Sequence, residues 1–215
     1  MKCLFNKNHW VLLILLVVVC GSYGAERVVY SQNFETATPG AVPDSMVVLD
    51  GKFSVKEEKG NRYLELQGVP LDNYAILFDE ETDNSAGITA RVRGESTGKR
   101  LPSFSVGLYG TAGFSLRVSP GRRAIELFKG NELIATTPFE WKGDGKWIWL
   151  KLKVINATPS VISGEVWYED DRMQKWQIKC ETAKAGVGKA FIAGIPFSSK
   201  PIHFDDITLV KIDNE

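Results

Sequence analysis

Trp147-Ile148-Trp149-Leu150-Lys151-Leu152-Lys153-Val154 alternates strictly, an aliphatic residue at every second position. Successive side chains of an extended strand point to opposite faces, so this period of two marks a strand with one face against a core. Ile148, Leu150, Leu152 and Val154 take the core face. Trp147, Trp149, Lys151 and Lys153 share the other. The next run, Val161-Ile162-Ser163-Gly164-Glu165-Val166-Trp167-Tyr168-Glu169, turns Ile162, Val166 and Tyr168 inward and leaves Ser163, Glu165, Trp167 and Glu169 opposite. Antiparallel pairing through the Asn156-Ala157-Thr158-Pro159-Ser160 connection would set Trp149 and Trp167 on one sheet surface.

The same period runs along the rest of the chain and helical periodicity is scarce. Strands are predicted at 27–34, 46–55, 62–67, 74–78, 88–93, 104–109, 114–118, 124–128, 132–136, 175–180, 190–195 and 203–212, besides the two quoted. Between them lie Thr38-Pro39-Gly40, Ser119-Pro120-Gly121 and Lys142-Gly143-Asp144-Gly145, whose Gly and Pro suit turn dihedrals, and Lys129-Gly130-Asn131-Glu132 reads as a tight hairpin. The expected fold class is all-β, a two-sheet antiparallel jelly-roll sandwich. No repeat, low-complexity tract or long linker divides the chain, so one domain is expected over 25–215.

The first 24 residues read as a signal peptide: Lys2 and Lys7, an unbroken apolar run from Val11 to Val19, and small residues in Ser22-Tyr23-Gly24. That run is too short to span a bilayer comfortably, so no membrane span is expected after cleavage. The product would be secreted or periplasmic; Cys20 leaves a lipoprotein as the alternative. Cleavage removes Cys3 and Cys20 and leaves Cys180 without an intrachain partner, a small buried strand residue by this reading. Asn156-Ala157-Thr158 fits a glycosylation acceptor in a eukaryotic source. Lys+Arg and Asp+Glu number 26 each, for a formal net charge of zero, and no basic run stands out, so neither nucleic acid nor another polyanion is an expected partner.

Acidic residues bracket the mature chain: Asn33-Phe34-Glu35 at its start, Phe204-Asp205-Asp206-Ile207 near its end. First and last strands of a jelly roll commonly lie side by side, so Glu35 and Asp205 or Asp206 become candidate ligands of a structural Ca²⁺, a cation that takes hard oxygen donors. The alternative is that these carboxylates accept hydrogen bonds from backbone N–H groups. Trp147, Trp149 and Trp167 among Lys151, Glu165 and Glu169 suggest a saccharide site, with C–H faces of a sugar on the indoles and its hydroxyls on the charged neighbours. The blander reading covers the Trp residues with a loop as a second small core. Trp141 and Trp176, near strand ends, read as packing residues.

Ile88-Thr89-Ala90-Arg91-Val92-Arg93, Gly113-Phe114-Ser115-Leu116, Glu126-Leu127-Phe128-Lys129, Gly145 to Leu152 and Phe204-Asp205-Asp206-Ile207 together resemble the concanavalin A-like lectin and glucanase superfamily. The resemblance covers nearly the whole mature chain and is similar to exported bacterial domains of laminin-G-like or 3-keto-disaccharide-hydrolase type. The terminal acids are also similar to those of carbohydrate-binding modules with calcium beside the terminal strands.

Glucanase activity does not follow. Retaining members of that superfamily carry Glu-x-Asp-x-x-Glu, with nucleophile and acid about 5 Å apart. No such spacing occurs here, and Glu165 and Glu169 lie about 13 Å apart along a strand. Asp79-Glu80-Glu81-Thr82-Asp83 reads as a solvated turn or a second cation site, and His203, alone in the mature chain, as structural. The expected function is an exported, non-catalytic carbohydrate-binding domain whose partner is a poly- or oligosaccharide. The alternatives are a glycoside hydrolase of the 3-keto-disaccharide-hydrolase type and a structural or adhesion module that binds protein.

Overall fold

Residues 25–69, 72–82, 85–170 and 177–213 are described by a computed structural model; the expected signal peptide, Asp83 and Trp176 lie outside them. The strands run in chain order as β1 (Glu26–Gln32), β2 (Met46–Asp50), β3 (Phe53–Glu58), β4 (Asn61–Leu66), β5 (Tyr74–Thr82), β6 (Ala86–Arg93), β7 (Ser103–Leu108) and β8 (Phe114–Ser119). A short 3₁₀ turn, Pro120–Arg122, follows, and then β9 (Ala124–Lys129), β10 (Glu132–Pro138), β11 (Ile148–Ile155), β12 (Ser160–Tyr168), β13 (Ile178–Thr182), β14 (Gly188–Ile195) and β15 (Ile202–Ile212). They form two antiparallel sheets, one of eight strands in the order β13-β12-β11-β6-β15-β4-β3 with β1 also on β15, the other of seven in the order β10-β9-β8-β7-β14-β5-β2.

The core lies between the sheets and is made of the expected inward sets. Ile148, Leu150, Leu152 and Val154 of β11 and Ile162 and Val166 of β12 are fully buried, facing a layer that includes Phe104, Val106, Leu116, Ile125 and Ile76. Burying one such side chain stabilises by about 1.5–3 kcal/mol, and a one-residue slip of β11 would expose all four of its core residues. That sets its register and fixes which side chains face out. β1 pairs antiparallel with β15, Glu26 opposite Ile212 and Gln32 opposite Ile207, so the first and last strands do lie side by side.

The first strand ends at Gln32, with Phe34 beyond it at φ +59°, the run 175–180 is seen as Ile178–Thr182, and two longer runs depart further from the sequence expectation. The run 46–55 is two strands: β2 joins the seven-stranded sheet on β5 and β3 the eight-stranded sheet on β4. Gly51 makes the corner at φ +99°, and a Cβ there would meet the Tyr74 ring at 2.7 Å. The acidic run from Asp79 is no turn either. β5 continues to Thr82, with Glu81 opposite Lys189 on β14, Glu80 3.5 Å from Lys211, and the Thr82 hydroxyl donating to the Gly188 carbonyl.

Elsewhere the expected local features hold. Glu132 pairs with Lys129 across Gly130-Asn131, a two-residue hairpin with Gly130 at φ +55°. Trp141 packs edge-on to Phe104, and Cys180 is a half-buried strand residue against the core. No helix among the described residues is long and apolar enough to cross a membrane.

Candidate functional site

The outer face of the eight-stranded sheet carries the residues singled out by alternation. β11 and β12 pair so that Trp149 sits opposite Trp167 and Lys151 opposite Glu165. The two indoles lie 6.0 Å apart between centroids and 8° from parallel, an offset stack that aromatic rings favour. Both are half-buried. Glu165 departs from the expected rim position: it is 6 % exposed, an interior acid opposed by half-buried Lys151 on one side and flanked along β12 by Trp167 and Ser163.

On the other side of β11 comes β6, where the core alternation of Ala90 and Val92 turns Arg91 and Arg93 outward. Arg91 is opposite Trp149, and on the next strand Asp205 is opposite Arg91, so one row reads Trp167, Trp149, Arg91, Asp205. Trp147 precedes β11 and makes the neighbouring row. The guanidinium carbons of Arg91 and Arg93 stand 4.6 and 4.9 Å from its ring centroid, and Tyr63 meets it edge-on at 6.1 Å. Trp147 separates two shallow pockets. One, of about 260 Å³, is lined by Tyr63, Arg91, Arg93, Asn61, Glu58 and Lys59. The other, of about 220 Å³, is lined by Lys146, Tyr168, Glu169 and Asp170.

Charge on this face is almost all paired. Arg91 reaches Asp205 at 2.6 Å, Asp206 at 3.1 Å and Glu169 at 3.2 Å. Its Nε is sealed from solvent and lies off hydrogen-bond direction to Asp206, so that contact is electrostatic. Asp205, 1 % exposed, also accepts from Asn61 Nδ2 at 3.0 Å and from the Asp206 backbone N–H at 2.8 Å. Burial first, and the Asp205 charge second, raise the Asp206 carboxyl above its ordinary pKa. Arg93 pairs with Glu58 at 3.0 Å and donates from Nε to His203 Nδ1 at 3.0 Å. Burial, helped by the Arg93 charge, lowers the His203 pKa to about 4. The ring is therefore neutral, with its remaining proton on Nε2, 3.2 Å from Glu65.

The calcium ligand set fails a test of fit. Glu35 does come near the last strand, since its charge contributes to raising Asp206. The cation beside Asp205 and Asp206, however, is the Arg91 guanidinium, and Glu35 Oε1 accepts from the Arg62 backbone N–H at 3.1 Å. A divalent ion among these acids would have to displace or sit against Arg91. Among the described residues no group of three or more His, Cys, Asp or Glu is placed to hold a metal. Nor do they form a Ser-His-Asp assembly, since both His203 nitrogens go to Arg93 and Glu65.

Sequence reasoning missed Arg91, Arg93, Tyr63 and Asn61 as part of this face. The alternation Thr89-Ala90-Arg91-Val92-Arg93 places both arginines on a strand's outer side. That β6 lies next to β11 and β15 is set by long-range pairing, which no local signal carries.

No protein-family model matches the sequence, and no curated protein matches it. Solved structures do resemble the fold. The carbohydrate binding module CBM66 from Bacillus subtilis superposes with a TM-score of 0.56 at 12 % identity, over 78 % of this chain and 96 % of that one. The Emp47p carbohydrate recognition domain gives 0.60 at 9 %, over 86 % and 96 %. The exoplasmic/lumenal domain of VIP36 in its Ca²⁺-bound form gives 0.60 at 10 %, over 86 % and 91 %. At such identities the likeness shows the fold: a β-sandwich of the kind found in lectin and carbohydrate-binding domains.

Proposed function

We propose that this chain is an exported carbohydrate-binding domain and that an oligosaccharide lies on the outer face of its eight-stranded sheet, across Trp147, Trp149 and Trp167. The observation that carries the proposal is the stacked Trp149 and Trp167 pair, on the same sheet face as two shallow pockets that share Trp147 as a wall. An indole offers a flat apolar face to the C–H side of a sugar ring. Lys151 and Glu169 supply polar partners for hydroxyls, with Glu169 held toward the site by Arg91 and still 52 % exposed. Because Arg91 and Arg93 are matched by carboxylates, the face suits a neutral glycan. The sandwich neighbours that are carbohydrate-binding domains support this reading. Calcium is left out of it, because Arg91 supplies the positive charge that Asp205 and Asp206 require.

The test is a glycan array on the mature protein, each hit then titrated against the protein and its Trp149→Ala variant and assayed for cleavage. Binding that depends on Trp149 without turnover supports the proposal. Turnover would favour a hydrolase, and silence on every glycan a protein-binding module.

A further inference from the structure

The outer face of the seven-stranded sheet holds an arginine in a different situation. Four described arginines are half-buried: Arg62, Arg91, Arg93 and Arg117. The first three pair with Glu57, Asp205 and Glu58. Arg117 on β8 has no hydrogen bond or ion pair to any described residue. Its cross-strand neighbour on β9 is Glu126, but that carboxylate is spent: the Ser119 hydroxyl donates to one oxygen and Arg122 Nη1, at 2.9 Å, to the other. Burial lowers the Arg117 pKa; the Glu126 charge acts against this without bonding the guanidinium, and the nearby Arg122 charge adds to it. The guanidinium stands 4.4 Å over the Phe128 ring, which holds its plane and leaves its N–H edge uncommitted.

What surrounds that edge is suited to an anion on a partly apolar body. Ser105 lies opposite Arg117 on β7, and Ser115 is two residues along β8 on the same face. Both are more than nine-tenths buried, at 4 % and 6 % exposed. Neither hydroxyl has a side-chain partner among the described residues, and neither oxygen is sealed from solvent. The next strand, β14, sets Ala193 opposite Ser105 and Phe191 opposite Gly107. The Phe191 ring lies over Gly107 so closely that a Cβ there would fall 2.0 Å from it. Phe191, Ala193 and Ala75, at 6, 6 and 8 % exposed, form with half-buried Leu77 a small apolar patch of their own beside the serines, so a ligand meets their edges and Leu77.

We propose that this face binds a carboxylate-bearing sugar, a uronic acid residue of a glycan, with the carboxylate on the Arg117 fork. The Ser105 and Ser115 hydroxyls donate to it, and the sugar's C–H side rests against Phe191 and Ala193. A fork of parallel N–H donors matches a carboxylate bidentately, and a charge-assisted bond of this kind is about twice as strong as a neutral one. The patch of apolar side chains gives a sugar an advantage over a bare inorganic anion. One guanidinium addresses one carboxylate, so the site needs no basic track of the kind a polyanion requires.

The experiment titrates the mature protein with trigalacturonate, its methyl ester and inorganic sulfate at matched ionic strength, following amide and Arg side-chain NMR shifts. Trigalacturonate should shift the Arg117 and Ser105 resonances, and both methyl esterification and Arg117→Gln should weaken binding by about tenfold or more, as expected for losing a hydrogen bond to a charged group. Ser105→Ala with Ser115→Ala, a change that adds no bulk to the sheet, should weaken it while the spectrum stays folded. Trp149→Ala, on the opposite sheet, should leave the trigalacturonate titration unchanged, so that this site and the tryptophan face stand or fall separately. Equal binding of acid and ester, indifference to Arg117→Gln, absence of trigalacturonate binding, or sulfate binding as tight as trigalacturonate would each overturn the proposal.

Discussion

Acidification should destabilise the protein through His203, and the size of the effect follows from its surroundings. The ring is held between Arg93, donating to Nδ1 at 3.0 Å, and Glu65 at 3.2 Å from Nε2, with Tyr63 4.5 Å away. Its folded pKa is lowered from 6.5 to about 4, by burial first and Arg93 second. With a depressed folded pKa the unfolded chain takes up the proton first. The contribution of a neutral His203 is therefore fully present above pH 6.5 and lost as pH falls towards 4. At about 1.36 kcal/mol per pKa unit the full loss is about 3 kcal/mol, of which about 2.5 kcal/mol is gone by pH 4.5. The Glu58 charge opposes the shift without cancelling it. Urea denaturation of the protein and of His203→Asn between pH 4.5 and 7.5 isolates the contribution, because Asn keeps an acceptor for Arg93 but does not titrate. The variant should be less stable at pH 7.5 and lose less on acidification. Imidazole NMR should show the Nε2–H tautomer and titration near 4. Titration above pH 6, or equal acid sensitivity in both proteins, would refute the reasoning.

Trp149→Ala and Trp167→Ala should each weaken glycan binding by about 1–3 kcal/mol, the scale of base stacking on an aromatic side chain, and cost less than that in folding stability. A folding loss of about 3–5 kcal/mol with unchanged affinity would instead mark the indoles as a closed second core. Arg91→Met should cost about 3 kcal/mol in chemical denaturation, the low end for breaking a buried pair because Arg91 is 15 % exposed, and adding Asp205→Leu should recover much of it. A loss below about 1 kcal/mol in Arg91→Met would show that Asp205 does not depend on it. The melting temperature should be the same in chelator and in millimolar calcium; a rise in calcium that Glu35→Gln abolishes would restore the terminal acids as a cation site. Mass spectrometry of the exported protein should find a mature start at Ala25, whereas a lipidated Cys20 would establish the lipoprotein.

The sequence by itself determined the strands, their buried faces and the class of sandwich, because alternation is local and burial of one face leaves a single workable register. Trp149 facing Trp167 was legible for the same reason: β11 and β12 are neighbours along the chain, joined by a short connection. Where a strand changes sheets was not legible, since 46–55 looks continuous until Gly51 bends it against Tyr74. The acids at the two ends were legible as neighbours but not in their chemistry. Their charge is met by Arg91, a residue more than a hundred positions from Asp205, which only the pairing of β6 with β15 brings beside them. Tertiary structure likewise decided that Glu165 is interior and that Arg117 stands without a carboxylate while its neighbour Glu126 is already bound by Ser119 and Arg122. Strand order is set by core packing summed over both sheets, and a side chain's partner on a neighbouring strand leaves no periodic trace along its own.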